Sequence, residues 1–251
     1  MEHSPDAAAR QARHDLALGR EGPVPDILRS LEHDAGVAVV VARLAEGGPA
    51  GAYTVERGRP FILLNSSEPV VRQRFTLAHE FGHHCLHHGD MLDERIAWDA
   101  TDPKEAAANA FAAEFLVPVA ALNLWFEAHV PATIDLGVLV RLANDFGVSC
   151  EAALWRSKAA GRVSSPDADR LKARLDSREH WGLRRDLGLG PIVDTLASIQ
   201  AMPVRVPEAM VGNVLEAVKA GVVDPEVAAE RLRISVQQVG VLAERRDSAD
   251  G

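Results

Sequence analysis

Residues 74–88 read RFTLAHEFGHHCLHH, and the interpretation of the whole chain starts from this stretch. Its apolar residues recur at helical spacing and cover much of the predicted helix surface, which indicates a helix inside a domain. On such a helix His79 and His83 lie one turn apart on the same face, so both can bind one metal ion. Glu80 lies roughly 100° further round the helix and is not a ligand. The stretch therefore predicts a His-Glu-x-x-His metal site.

This motif is typical of zinc-dependent peptide hydrolysis. Zinc lowers the pKa of a water molecule to about 7, and the glutamate takes its proton and delivers it to the leaving amine. We therefore assign Glu80 as the general base and expect one Zn²⁺ per chain, with Mn²⁺ as the alternative metal. The competing interpretation is a His-rich helix that contains the motif by chance, because five of the ten histidines lie between positions 79 and 88. The apolar coverage of the helix favours a true site.

A third ligand is expected from residues 102–118, DPKEAAANAFAAEFLVP, which are predicted to form an Ala-rich helix with Pro near both ends. Glu105 and Glu114 are nine residues apart and point to opposite sides, so only one of them can face the metal. We favour Glu105, because its face carries small residues and Asn109, which can orient a ligand. The alternative for Glu105 is a capping box with Asp102.

Taken together, the two stretches resemble the ImmA/IrrE family of metallopeptidases. The matching patterns are R-x-R-F-T-x-A-H-E-F-G-H-x-x-x-H over residues 72–87 and E-x-x-A-N-x-F-A-A-x-F-L-x-P over residues 105–118. The resemblance covers residues 28–160. It implies a zinc endopeptidase that cleaves a helix-turn-helix transcriptional repressor and so derepresses genes of a stress response or a mobile element.

A second class of function stays open, namely a regulatory module that binds and sequesters a transcription regulator without cutting it. The intact His79, Glu80 and His83 favour the enzyme. Two further residues are candidates for supporting or substrate-contacting roles. His87 lies about 12 Å along the helix from His79, too far to bind the same ion, and Tyr53 is a candidate oxyanion donor from the sheet.

The composition indicates a globular protein with a substantial core, with 251 residues of which 47% are hydrophobic and 25% charged. No apolar run of membrane-spanning length and no signal-peptide pattern is present, so we expect a cytoplasmic protein without a membrane partner. Cys85 and Cys150 are most simply reduced core thiols. The net charge of −9 opposes direct DNA binding and suits a basic protein partner such as a repressor.

We predict an α+β fold, in which a small sheet carries HExxH-type metallopeptidase helices and is followed by an all-α C-terminal part. Three strands are expected before the metal helix, over residues 35–42, 51–56 and 61–65. Residues 89–101 read as an acidic loop, a solvated connector in preference to a lid. The expected divisions are a helical segment (1–27), the ImmA/IrrE-like domain (28–160), a linker (161–169) and a helical C-terminal domain (170–251).

The end of the C-terminal domain resembles a helix-turn-helix over residues 224–242. Residues 165–251 carry a net charge of roughly −2, against roughly −7 for the remainder. This part is less acidic but not basic, which favours a docking domain for a protein partner over a DNA-binding domain.

Overall fold

The computed structural model describes residues 4–44, 48–89, 91–93, 102–129, 134–189, 205–232 and 234–247. The strands are β1 (Ala38–Ala42), β2 (Gly51–Glu56), β3 (Arg59–Asn65) and β4 (Met91–Asp93). The helices are α1 (Pro5–Asp15), α2 (Ile27–Arg29, continued by a π-helical turn over Ser30–Asp34), α3 (Val70–Cys85), α4 (Pro103–Leu116), α5 (Val119–His129), α6 (Leu136–Phe146), α7 (Cys150–Ala159), α8 (Ser165–Asp176), α9 (Glu179–Asp186), α10 (Glu208–Lys219), α11 (Pro225–Leu232) and α12 (Val236–Asp247).

The predicted α+β class is confirmed, and the three expected strands form where their β-branched and aromatic residues indicated. The strands make one mixed sheet of order β1-β3-β2-β4. Strand β1 runs parallel to β3, whereas β2 is antiparallel to both β3 and β4. Strand β4 lies inside the predicted loop 89–101 and was not expected. The rest of that loop, residues 90 and 94–101, lies outside the described residues.

Local capping explains where several helices begin and end. The Asp102 carboxylate accepts a hydrogen bond from the Lys104 amide at 2.7 Å, which starts α4 with Pro103 in its first turn. Asp135 and Ser149 cap α6 and α7 in the same way. Between those two helices Gly147 adopts φ +65°, the left-handed conformation that ends a helix at little cost only for glycine.

Helix α3 lies at the centre of the main core, where it packs against β2, β3 and α4, and α4 packs in turn against α1. The approach of α3 to α4 depends on Gly82, because a Cβ atom added there would lie 3.0 Å from Cδ1 of Phe111. The side chain of Phe111 lies against the open side of Gly82. Ile62 and Leu64 of the sheet are fully buried in the same core.

The main core continues past the stretch that we predicted to be a linker. Within residues 161–169, Val163 is buried and α8 begins, with Ser164 as its cap. Ala168, Leu171 and Leu175 then join the same core cluster as the sheet and α3. Two residues of this stretch, Val163 and Ala168, are therefore anchored in the core, whereas most of the others are exposed. The predicted domain boundaries themselves stay predictions.

Helices α10, α11 and α12 share a second, smaller apolar cluster centred on Leu215, Ala228 and Val239. Ser235 and Gln238 hydrogen-bond each other's backbone amides in a capping box at the start of α12. Among the described residues, no single helix is both long and apolar enough to span a membrane, although α4 and α5 pass the length and composition test together, with a 43° bend between them.

Buried arginines connect the helices of the main core to loop carbonyls. Arg74 on α3 donates to the carbonyl oxygens of Gly147 at 3.0 Å and Val24 at 2.6 Å. Arg13 on α1 donates to the carbonyl of Phe115, at the end of α4, at 2.6 Å. Burial lowers the pKa of each arginine to about 10, so both stay charged at neutral pH. Each cation therefore depends on its carbonyl partners for the solvation that burial removes.

We expect Arg74→Met to lower the free energy of unfolding by about 2–4 kcal/mol, because two buried carbonyls lose a charged donor that methionine cannot replace. Urea unfolding of metal-free protein measures the loss. Arg141→Met, at an exposed position on α6, is the matched control and should change stability by less than about 0.5 kcal/mol. Equal losses in the two variants would contradict the assignment of Arg74 as a buried structural cation.

Candidate metal centre

Helix α3 places the imidazoles of His79 and His83 side by side inside the protein. Both side chains are fully buried, and their Nε2 atoms lie 3.0 Å apart. The four-residue spacing produces this arrangement, because residues i and i+4 face the same way on a helix. The two ring nitrogens that point toward each other are thus available to a single ion.

Helix α4 adds the carboxylate of Glu105 to this pair. Its Oε2 lies 3.1 Å from Nε2 of His79, and its Oε1 lies 3.5 Å from Nε2 of His83. The alternative role of Glu105 was in a capping box with Asp102. Asp102 does cap α4, but both carboxylate oxygens of Glu105 face the histidines instead. Glu114 is on the other side of α4, where it forms ion pairs with Arg10 and Arg156. The structure therefore places Glu105, the favoured glutamate, beside His79 and His83, and it places Glu114 away from both histidines.

The donor set fits a zinc-type ion in number, chemistry and spacing. One ligand atom from each of His79, His83 and Glu105 lies within 4.8 Å of the others. A tetrahedral zinc with bonds of about 2.0–2.2 Å would place its ligand atoms about 3.3–3.6 Å apart, close to the separations of 3.0, 3.1 and 3.5 Å seen here. Two imidazoles and one carboxylate make three protein ligands, which leaves a fourth position for chemistry. These three residues can hold a metal ion.

The second ring nitrogen of each histidine, Nδ1, is within hydrogen-bonding distance of a neighbouring side chain. Oδ1 of Asn109 on α4 lies 3.0 Å from Nδ1 of His79, and the orienting role of Asn109 stays a prediction. Nδ1 of His83 lies 2.9 Å from Nδ1 of His88. Burial lowers the pKa of the His88 imidazole, and the nearby Lys104 cation lowers it further. These shifts favour the neutral imidazole, in which one ring nitrogen is a hydrogen-bond acceptor.

The predicted placement of His87 on the metal helix is wrong. Helix α3 ends at Cys85, and His87 lies beyond it with φ +57° and an exposed side chain. The helical face that we extended from His79 through His83 thus stops before position 87. A substrate contact by His87 stays a prediction.

Glu80 is fully buried where α3 meets the start of β2. A Cβ atom added at Gly51 would lie 2.7 Å from Oε1 of Glu80 and 2.5 Å from Cγ2 of Thr76. Both separations are shorter than real Cβ contacts, so only glycine lets β2 come this close to the carboxylate. The backbone of β2 therefore forms one wall beside Glu80.

Tyr53 on β2 is buried, and its hydroxyl lies 2.9 Å from Nδ1 of His84 on α3. Burial lowers the pKa of His84, and His87 lowers it further, so the imidazole is neutral at pH 7. This hydrogen bond joins the sheet to the metal helix one residue past His83. The role of Tyr53 as an oxyanion donor stays a prediction.

Two residues of this neighbourhood were missed from the sequence. His88 was visible only as one histidine in a rich run, and no helical spacing relates it to His83. Gly51 follows a Gly-Gly-Pro turn region at residues 47–49, where one more glycine carries little information. A glycine at the first position of a predicted strand is the one signal of close approach that was available.

Two histidines and a glutamate around one point, beside a buried glutamate that follows the first histidine, form the arrangement of an HExxH metallopeptidase. Residues 32–158 match the model of peptidase family M78, described as the IrrE N-terminal-like domain, and the chain belongs to this family. The resemblance drawn from the two sequence patterns is thereby confirmed. No curated protein matches the chain significantly.

We expect Glu105→Ala to affect metal affinity and Glu114→Ala to affect stability. Glu105→Ala should weaken zinc binding by more than about 100-fold, since even residues that only orient ligands contribute about 10–100-fold. Glu114→Ala should keep the zinc affinity but lower the stability of the metal-free protein by about 3 kcal/mol, because it leaves Arg156 buried without its anion.

Competition with a chromophoric chelator measures zinc affinity, and thermal unfolding of the metal-free variants measures stability. Each variant is the control for the other. If Glu114→Ala alone strips the metal, the choice of Glu105 as ligand is wrong.

Proposed function

We propose that this protein is a zinc-dependent endopeptidase whose substrate is a helix-turn-helix transcriptional repressor. The observation that carries the proposal is the placement of the buried Glu80 directly after the first residue of the His79, His83 and Glu105 cluster. Family membership supports a metallopeptidase function, and the nitrogen and oxygen donor set is one that zinc commonly uses.

Each residue of the site has a distinct task in this reaction. When bound by His79, His83 and Glu105, zinc supplies Lewis acidity, which polarises a peptide carbonyl and makes water acidic. Glu80 accepts the proton of the attacking water on a carboxylate oxygen and returns it to the leaving nitrogen. Asn109 accepts the hydrogen bond from Nδ1 of His79, which leaves Nε2 as the nitrogen that faces the ion.

An extended peptide is the substrate form that suits the fold. Among the strands that the structure describes, β4 lies at one edge of the sheet and pairs with β2, the strand whose Gly51 lies against Glu80. A substrate segment that adds to a sheet edge gains main-chain hydrogen bonds without any requirement for its sequence. Recognition of a particular repressor then depends on other surfaces, and the net charge of −9 suits a basic partner.

We expect Glu80→Gln to abolish cleavage and to leave zinc binding intact. Glutamine is nearly isosteric, so both histidine ligands should keep their positions, but an amide cannot accept the proton of water. The expected loss of rate is about 10²–10⁴-fold, measured at matched zinc content on a panel of helix-turn-helix repressors. Glu127→Gln, which removes the same charge at an exposed position on α5, should cleave like the wild type.

Binding of the same repressors is measured in parallel. Full cleavage by Glu80→Gln would remove Glu80 from its catalytic role. Tight binding with no cleavage by wild type or variant, together with unchanged regulatory output, would favour the sequestering module that does not cut its partner.

We also expect the C-terminal helices to contribute to repressor binding. The truncation should remove residues 206–251 and no more, because α8 contributes Leu171 and Leu175 to the main core. The truncated chain should keep its zinc affinity and lose affinity for the repressor, measured by calorimetry. Unchanged repressor affinity would place recognition entirely in the part of the chain before residue 206.

A further inference from the structure

The chain leaves helix α3 through a turn with a defined hydrogen-bond pattern. The amide of His87 donates to the carbonyl of His84 at 3.2 Å, and the amide of His88 donates to the carbonyl of His83 at 3.1 Å. His87 has φ +57°, in the left-handed region. Two such bonds around one left-handed residue are the Schellman motif, which folds the chain back over the last turn of its helix.

In a Schellman motif the residue after the left-handed position meets the residue five places before it, commonly through an apolar contact. Here these two residues are His88 and His83, and a hydrogen-bonding contact takes the place of the apolar one. Their Nδ1 atoms lie 2.9 Å apart, with the rings edge-on at 65°. The turn therefore delivers an imidazole to the outer nitrogen of a candidate metal ligand.

The roles of the four nitrogens follow from the direction in which His83 faces. Nε2 of His83 lies 3.0 Å from Nε2 of His79 and 3.5 Å from Oε1 of Glu105, so it is the nitrogen on the metal side. A neutral imidazole that offers Nε2 to a metal carries its proton on Nδ1. Nδ1 of His83 then donates to Nδ1 of His88, and His88 carries its own proton on Nε2.

The backbone of His88 is held by the helix that supplies the third ligand. Nζ of Lys104 donates to the carbonyl oxygen of His88 at 3.1 Å, and Lys104 directly precedes Glu105 on α4. The first turn of α4 thus contacts both the cluster and the turn that supports it. Asn109, one turn further along α4, gives His79 the equivalent hydrogen bond.

We propose that His88 is the positioning residue of His83, and that His87 acts through its left-handed backbone, which brings His88 into place. The two candidate histidine ligands then have matched acceptors, Oδ1 of Asn109 for His79 and Nδ1 of His88 for His83. The proposal rests on the metal site of the proposed function. It assigns a role to one histidine of the run and a purely conformational role to its neighbour.

The test measures zinc affinity of the full chain by chelator competition, with the absorption bands of bound Co²⁺ as a second readout of ligand geometry. His88→Phe and His88→Ala both remove the acceptor and should weaken zinc binding about 10–100-fold, the range found for residues that orient metal ligands. His88→Asn should recover most of the affinity, because its Oδ1 takes the place of the imidazole Nδ1. Metal-free melting temperatures should agree among the three variants.

Two variants at position 87 distinguish the role of the backbone of His87 from the role of its side chain. His87→Gly should bind zinc like the wild type, because glycine adopts the left-handed conformation readily. His87→Val should weaken zinc binding, because a β-branched residue strains the turn. Weak binding by His87→Gly would show that the His87 side chain is needed and would overturn its conformational role.

His79→Ala separates failure of this inference from failure of the metal site. If the wild type binds no zinc, or binds it no better than His79→Ala, the metal site and this inference fall together. If His79→Ala loses zinc while His88→Phe and His88→Ala bind like the wild type, only the role of His88 is overturned. Loss in those two variants without recovery in His88→Asn would overturn its role as an acceptor.

Discussion

The contact between α3 and α4 across Gly82 is the constraint on which the site depends. His79 and His83 come from one helix and Glu105 from the other, so the spacing of the helices sets the size of the cluster. A Cβ atom added at position 82 would lie 3.0 Å from Cδ1 and 3.3 Å from Cβ of Phe111. A side chain at position 82 would therefore press on Phe111 by a few tenths of an ångström, which is comparable with the tolerance of about 0.2 Å on metal–ligand distances.

Buried charges hold the surrounding helices in the same arrangement. Arg74 joins α3 to the loops that carry Val24 and Gly147, and Arg13 joins α1 to the end of α4. Glu114 joins α4 to α1 and α7 through Arg10 and Arg156. Every one of these groups leaves an uncompensated buried charge or carbonyl if its partner moves away. Rigid-body movement of α3 or α4 therefore breaks polar contacts as well as apolar packing.

Helical periodicity explains which parts of the site were predictable from sequence. The direction of a side chain on a helix follows from its position, so the pairing of His79 with His83 and the choice of Glu105 over Glu114 could both be derived. Residues beyond the helix ends could not. No glycine or proline marks the end of α3 at Cys85, and His87 was placed on a helix that had already stopped. The three-residue β4 and the contact of His88 with His83 both depend on that irregular exit.

The pairing register of the sheet, as well as its packing, determines which residue lies beside Glu80. Strand β2 pairs with β3 so that Gly51 lies opposite Leu64, and this register places the residue without a Cβ atom against Glu80. A slip of one residue along β2 would bring Ala50 or Ala52 to that position and put a methyl group where the carboxylate now lies. The burial of Tyr53 on the same strand opposes such a slip, because the slip would turn this side chain to the other face of the sheet. The buried side of β2 thereby keeps Gly51 against the carboxylate of Glu80.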